Sequence, residues 1–184
     1  MIDLTKKSLP NTVLVGGRDF KIHTDFRIWL RFVIEFEEWR EQNFKGVLDI
    51  RYLFKDEIPE FCCIEDYGEI LEFAFPKNVV PRNAGVAEKV LYYKYDGDYL
   101  YSAFMEQYGI DLLDDEFHWY KFNALLNGLN NTKMNEIMEF RSYTGEKVRD
   151  MDSQYRRLKE TWIPPEEETE EEKEAEERFN NYFG

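Results

Sequence analysis

Large apolar side chains recur every three or four residues in three stretches of this chain, and this spacing restricts its fold more than any other feature. They are Ile28, Phe32, Phe36 and Trp39 in the first stretch, Leu100, Phe104 and Tyr108 in the second, and Phe117, Lys121 or Phe122, Leu125 and Leu129 in the third. Residues at this spacing share one face of an α-helix. The chain has 15 Phe, 12 Tyr and 4 Trp among its 184 residues, enough large side chains to fill a core between such helices. The spacing therefore predicts a mainly α fold.

Capping residues and glycines indicate where the predicted helices begin and end. Thr24 or Asp25 is suited to cap the first helix, because a short polar side chain can accept a hydrogen bond from a free N–H group of the first turn. Gly109 and Gly128 stand where later helices commonly stop. The other predicted helices lie within 59–76, where Gly68 disfavours a continuous helix, and over 98–108, 116–129, 134–140 and 146–162.

The segment before the first helix has the pattern of a β-hairpin. Residues 12–15 and 18–23 alternate apolar and polar side chains, and Gly16 and Gly17 between them can adopt the positive φ angles of a tight turn. An isolated hairpin is marginally stable in water, so we expect it to pack against the helices. The predicted fold class is thus mainly α (α+β), a helical domain with a short N-terminal β-hairpin.

A change of composition divides the chain near Pro164. Residues 1–163 have a length that suits one hydrophobic core, and prolines and glycine within 76–90 predict a connecting loop. From Pro164 onward, nine Glu accompany only Lys173 and Arg178, so residues 164–184 carry half of the chain's net charge of -14. We interpret 1–163 as a single helical domain and 164–184 as an acidic extension, either disordered or a solvated helix.

The acidic charge of the chain limits the classes of partner that it can bind, and the membrane-span and signal-peptide patterns bear on its cellular compartment. Nucleic-acid binding requires clustered Lys and Arg, so a pI near 4.7 predicts no direct contact with nucleic acid, although an acidic protein can mimic DNA. No segment approaches the roughly 18 consecutive apolar residues of a membrane span, and the N-terminus lacks a signal-peptide pattern. We expect a cytoplasmic protein in which the adjacent Cys62 and Cys63 are reduced and buried.

Asp96, Gly97 and Asp98 form the first of two acidic clusters that invite a chemical interpretation. A calcium loop starting here would have glycine sixth and glutamate twelfth, whereas glycine is second and Gln107 is twelfth. Mg²⁺ needs only one or two carboxylates besides phosphate oxygens, so the spacing leaves that alternative open. The favoured interpretation is structural, with Asp98 as the N-cap and its charge at the positive end of the helix dipole.

Asp114, Asp115 and Glu116, followed by His118, form the second cluster. Consecutive residues point to different sides of a helix, so the three acids cannot converge on one ion, whereas acids are common in a first helical turn. We expect His118 to form a hydrogen bond within the packed face or to lie at the surface. Ser102 lacks the sharp turn that exposes a nucleophilic serine. The sequence thus predicts no catalytic, metal-binding or cofactor-binding residue, and no enzyme.

Four ordered blocks of the sequence resemble a phage protein family. The blocks are a glycine-turned hairpin followed by "DFRIWLRFV", then "YDGDYLYSAFMEQYGIDL", "DDEFHWYKFNALLNGL" and "MNEIMEFRSY". Over about Thr12 to Tyr143 the chain resembles the gene-product-fifteen family of siphophages that infect Gram-positive bacteria, encoded in the tail-morphogenesis region. The resemblance implies a tail assembly chaperone or minor structural protein, without catalytic residues, in the cytoplasm of the bacterial host during phage assembly.

The resemblance also implies partners. A chaperone of this kind would bind the tape-measure protein, and the tail-tube protein and a second copy of the chain are further candidate partners. The residues predicted to form the partner surface lie on the two central helices and are Tyr99, Phe104, Tyr108, Phe117, Trp119, Tyr120 and Leu125. Three alternatives stay open: a virion structural protein of the tail or connector, an acidic DNA mimic that inhibits a nuclease, and a carboxylate-dependent metal enzyme.

Overall fold

The fold is a set of helices joined to one small antiparallel sheet, as the sequence predicts. The computed structural model describes residues 2–61, 67–76, 89–145 and 149–165, with backbone only at residues 149 and 150. The elements within these ranges are β1 (Thr12–Val15), β2 (Arg18–Lys21), α1 (Phe26–Glu41), α2 (Gly68–Ala74), α3 (Gly97–Tyr108), α4 (Trp119–Gly128), α5 (Lys133–Arg141) and α6 (Arg149–Trp162). The predicted fold class, mainly α with an N-terminal β-hairpin, is confirmed.

The hairpin forms at the predicted glycines. β1 and β2 pair antiparallel with Val13 opposite Phe20, and Gly16 and Gly17 have φ angles of 55° and 80°. Two positive φ angles give a turn whose twist matches that of the strands. Val13, Val15 and Phe20 are buried, so the hairpin contributes one face to the core. The second strand ends at Lys21, two residues earlier than predicted.

Helix α1 begins where a capping side chain was predicted but buries a different set of residues. The carboxylate of Asp25 accepts a hydrogen bond from the backbone N–H of Arg27 at 2.9 Å, which confirms Asp25 as the N-cap. The fully buried residues of α1 are Phe26, Trp29, Phe32 and Val33, whereas Ile28, Phe36 and Trp39 of the predicted stripe are partly buried. The core therefore meets α1 on a face rotated toward Trp29.

Phe122 lies at the centre of the aromatic core. Its ring stacks on Phe26 at 4.8 Å, on Phe104 at 5.3 Å and on Trp119 at 5.6 Å between ring centroids. The structure thus selects Phe122 rather than Lys121 for the buried face of α4. Each fully buried large apolar side chain stabilises the fold by about 1.5–3 kcal/mol, so this cluster joins α1, α3 and α4 strongly.

Two helix starts differ from the predictions. Helix α4 begins at Trp119, three residues later than predicted, so the acids at 114–116 precede the helix instead of forming its first turn. Helix α3 begins at Gly97 with Asp96 at the N-cap position, so the prediction of Asp98 as the N-cap was wrong; Asp98 lies in the first turn. Both shifts follow from long-range contacts of the preceding residues, described below.

Helix α2 confirms part of the helix predicted within 59–76. It starts at Gly68, where a glycine costs less than it would in the middle of a helix. Several predictions lie outside the described residues: the buried Cys62 and Cys63, most of the 76–90 loop, the start of the last helix at residue 146, and the acidic extension from residue 166 onward.

Candidate functional site

Asp96 and Arg141 form an ion pair in the protein interior. Arg141 Nη1 donates to Asp96 Oδ2 at 2.7 Å and Nη2 donates to Oδ1 at 2.9 Å. The two side chains are 1% and 3% exposed. Asp96 Oδ2 also accepts from the backbone N–H of Tyr92 at 2.8 Å, and the Arg141 guanidinium lies 5.0 Å from the centre of the Tyr92 ring. The Asp96 carboxylate is therefore occupied by protein groups.

Arg141 also holds two distant pieces of backbone. Its Nε donates to the carbonyl of Trp162, the last residue of α6, at 2.8 Å, and Nη1 donates to the carbonyl of Val90 at 3.0 Å. Buried charges require such a full set of partners. This network gives Asp96 a structural role and explains why its side chain makes no capping bond to α3.

The second acidic cluster is part of a turn. The backbone N–H of Asp111 donates to Asp115 Oδ2 at 2.9 Å, and the N–H of Asp115 donates to the Asp111 carbonyl at 2.8 Å. In the described part of the chain, no group of three or more His, Cys, Asp or Glu side chains is placed to hold a metal ion. The acids at 114–116 thus belong to the connection between α3 and α4.

His118 caps α4 with its imidazole. Nδ1 accepts from the backbone N–H of Tyr120 at 3.0 Å, and Nε2 lies 2.8 Å from the carbonyl oxygen of Pro10. Both contacts are satisfied by the neutral ring that carries its proton on Nε2. Burial lowers the pKa of His118, which favours this neutral form. The sequence left two alternatives for His118, a hydrogen bond within the packed face or a position at the surface. The structure shows the first, with the ring bonded on both nitrogens and partly buried.

The predicted partner-binding residues divide into two groups. Phe104, Trp119 and Tyr120 are buried within the protein, and Trp119 Nε1 donates to the carbonyl of Ala74 at 2.9 Å. Tyr99, Tyr108, Phe117 and Leu125 are partly exposed. The buried residues offer little surface area to a partner. The predicted partner surface is therefore reduced to the four partly exposed residues.

A recess opens between the hairpin, α2 and the start of α4. Its volume is about 340 Å³. Its lining includes the apolar and aromatic residues Pro10, Val13, Phe73 and Tyr120. The rings of Phe73 and Tyr120 lie 4.8 Å apart, and Phe73 also contacts Trp29 at 4.3 Å, so the aromatic part of the lining rests on the core.

Two glutamates give this recess its charge. Glu69 and Glu72 line it from α2, and both side chains are exposed to solvent. Burial, and then the nearby carboxylates of Glu69 and Glu72, raise the pKa of Tyr120. Tyr120 is among the site residues predicted from the sequence, whereas Glu69 and Glu72 are not. Their spacing of three residues beside Phe73 was a local signal, but it gave no information that Pro10 lines the same recess.

The described residues define a mainly helical protein with an N-terminal hairpin, a buried ion pair and an acidic recess with an aromatic wall. The family model described as Bacteriophage Gp15 protein matches residues 5–163. This match spans most of the chain, so the chain belongs to the Bacteriophage Gp15 protein family. No curated protein and no solved structure matches it. Among the described helices, none is long and apolar enough to cross a membrane.

Proposed function

We propose that this protein is a non-enzymatic tail assembly chaperone of a siphophage that infects Gram-positive bacteria. It binds the tape-measure protein in the cytoplasm of the host cell while the tail is assembled. The observation that carries the proposal is the match of the Bacteriophage Gp15 protein family over residues 5–163. The partly exposed aromatic residues and the recess support a role in binding another protein.

The partly exposed residues of α3 and α4 are suited to a helical partner because they are held in place. The Tyr108 hydroxyl donates to the Leu125 carbonyl at 2.9 Å and lies 3.1 Å from Gln107 Nε2. The Tyr99 ring makes an edge contact with Trp162 at 5.6 Å. Side chains already ordered in the free protein lose less conformational entropy on binding. An amphipathic helix laid across such residues would bury its apolar face.

Co-expression with the tape-measure protein from the same genome tests the proposal. We expect a soluble complex with several copies of this protein, recovered by pull-down and counted by native mass spectrometry. The tape-measure protein expressed alone should be insoluble or degraded. A tape-measure protein that stays soluble alone and does not associate would contradict the chaperone function.

The alternative is a structural protein retained in the tail or connector of the virion. Mass spectrometry of purified particles separates the two functions, because a chaperone should be absent or present in far fewer copies than the tail-tube protein. A fixed, high copy number in particles would favour the structural function.

A further inference from the structure

Helix α6 differs from the other helices in how little of it is buried. Among its described side chains, residues 151–162, none is fully buried, whereas α1 to α5 each bury three or more residues. α6 packs mainly on α5 and comes last among the described elements. A helix with few buried apolar contacts opens at a lower free energy than the core does. Of the described helices, α6 is therefore the one that should detach most easily.

The contacts that hold α6 come from one of its faces. Asp152, Tyr155, Lys159 and Trp162 follow one another at spacings of three, four and three residues, so they lie on the same side of the helix. The Tyr143 hydroxyl donates to the Asp152 carboxylate, and the rings of Tyr143 and Tyr155 lie 5.2 Å apart. Lys159 Nζ donates to the Tyr143 carbonyl at 3.1 Å. Three of the four side chains thus contact a single residue that follows α5.

Trp162 holds the other end of α6. Its ring makes an edge contact with Tyr99 at 5.6 Å, and Lys133 Nζ lies 5.3 Å from the ring centre. Its carbonyl accepts from Arg141 Nε at 2.8 Å. The residues beneath α6 are here named the α6-binding face and are Tyr99, Lys133, Phe140, Arg141 and Tyr143.

The occupant that this face accepts is shown by α6 itself. Two aromatic side chains seven residues apart, Tyr155 and Trp162, contact rings or a cation of the face. An acid stands three residues before the first aromatic, and a base stands four residues after it. Partner helices that lie in grooves are recognised by anchors at such spacings. The α6-binding face therefore fits an amphipathic helix with the order acid, aromatic, base, aromatic.

We propose that α6 is detachable and that an amphipathic helix of a partner protein, with this order of side chains, replaces it on the α6-binding face. This inference rests on the proposed function, since the partner is then the tape-measure protein. In the free protein α6 covers the face and competes with the partner. Its detachment also uncovers the part of Tyr99 that Trp162 covers, and Tyr99 belongs to the predicted partner surface.

Amide hydrogen exchange of the full chain tests whether α6 detaches as a unit. At low urea concentrations, we expect the amides of residues 153–162 to exchange through an opening of clearly lower free energy than the amides of α1 and α4. If the α6 amides exchange only when the whole protein unfolds, at the same free energy as those of α1, the proposal is overturned.

A labelled peptide of residues 149–163 is the probe for the α6-binding face. In fluorescence anisotropy it should bind Trp162→Ala at least about tenfold more tightly than the wild type, because the weakened α6 of the variant competes less. Arg157→Ala truncates an exposed side chain on the opposite side of α6 and should bind the peptide like the wild type. Tyr155→Ala serves as a second weakened variant if circular dichroism shows that Trp162→Ala is unfolded. Equal affinities of the wild type and a folded weakened variant would overturn the proposal.

Capture of the tape-measure protein then connects the face to the proposed function. The folded weakened variant should capture more of it than the wild type does at equal concentration, and Arg157→Ala should capture as much as the wild type. If the wild type captures it and the weakened variant captures no more, the inference is overturned while the chaperone function stands. If the wild type captures none, the proposed function is refuted, and the peptide titration still tests the face. A dimer that forms by exchange of α6 between two copies and excludes the peptide would assign the face to a second copy and overturn the proposal.

Discussion

Arg141 donates two parallel hydrogen bonds to Asp96, and both side chains are buried although they stand 45 residues apart in the sequence. The pair connects the residue before α3 to the last residue of α5. Since Arg141 also bonds to the Trp162 carbonyl, it brings the end of α6 to the same point. A bidentate guanidinium–carboxylate pair has one favourable geometry, so it restricts how these three helices meet.

Removing one member of this pair should destabilise the protein severely. Asp96→Ala leaves the Arg141 guanidinium buried without its counter-charge, and we expect the free energy of unfolding to fall by about 3–5 kcal/mol. Urea unfolding at neutral pH measures the change. As a control, Asp56→Ala removes an ion pair with Lys21 in which both side chains are largely exposed, and it should cost less than about 1 kcal/mol. Similar losses of unfolding free energy for the two variants would show that the buried Asp96–Arg141 pair stabilises the protein no more than an exposed ion pair does.

The stability of the protein should decrease as the pH falls through the ordinary pKa of histidine. The pKa of His118 in the folded protein is lowered from 6.5, mainly by burial, so the unfolded chain binds more protons than the folded one below that pH. The contribution of the neutral ring is fully present above pH 6.5 and is lost progressively below it, until the lowered folded pKa is reached. Protonation of Nδ1 would also remove the acceptor for the Tyr120 N–H.

A variant without a titrating ring provides the comparison. His118→Asn keeps an N-cap acceptor, so its unfolding free energy should change less between about pH 7.5 and 5.5 than that of the wild type. Urea unfolding at several pH values gives both profiles. If the unfolding free energies of the two proteins change with pH in parallel, groups other than His118 cause the pH dependence.

Gly128 and Tyr108 should show coupled effects on stability. A Cβ atom at Gly128 would lie 2.9 Å from the Tyr108 hydroxyl, which itself is bonded to the Leu125 carbonyl. Alanine favours a helix over glycine by up to about 1 kcal/mol, but here the clash should cancel this gain. In the Tyr108→Phe background, Gly128→Ala should therefore be more favourable by at least about 0.5 kcal/mol. A double-mutant cycle, followed by urea unfolding, measures the coupling energy between the two substitutions. Additive changes in unfolding free energy would show that a Cβ atom at Gly128 does not interact with the Tyr108 hydroxyl.

Substitution of Phe104 should reduce the stability of the protein, whereas substitution of Leu125 should reduce its binding to the partner. Phe104→Ala removes a fully buried ring, and we expect a loss of about 3–5 kcal/mol in unfolding free energy. Leu125→Asp changes a partly exposed side chain and should keep the fold while reducing tape-measure capture. Ala124→Asp adds the same charge at an exposed position of the same helix and should reduce capture less. Circular dichroism and pull-down together give both quantities. Normal capture by a folded Leu125→Asp variant would remove this part of α4 from the partner surface.

The acidic extension should be dispensable for folding. A chain that ends after Ile163 keeps the Trp162 carbonyl that accepts from Arg141, and its unfolding free energy should match that of the full chain within about 0.5 kcal/mol. A chain that ends after Leu158 lacks that acceptor and should be clearly less stable. Urea unfolding of the three chains tests the predicted boundary at residue 164. A large loss from the first truncation would show that the acidic residues contribute to the domain.

Interactions between residues close in sequence allowed several elements to be predicted. The helical spacing of the aromatic residues, the glycine pair of the hairpin and the Asp25 cap all act within a few residues. The ends of these elements were less predictable where a side chain has a distant partner. His118 starts α4 because its ring bridges Tyr120 and Pro10, and the second of these contacts spans 108 residues.

The fold class, the hairpin and most of the helices could be predicted from the sequence, because their backbone hydrogen bonds and apolar faces repeat over short distances. Long-range packing determines which acid is buried, which aromatics fill the core and which residues line the recess. Asp96 and Asp98 look alike in sequence, yet only Asp96 meets Arg141. In the same way, Glu69, Pro10 and Tyr120 come together only when the hairpin, α2 and α4 pack. Such contacts depend on how elements far apart in the chain pack together, and a local sequence pattern does not predict that packing.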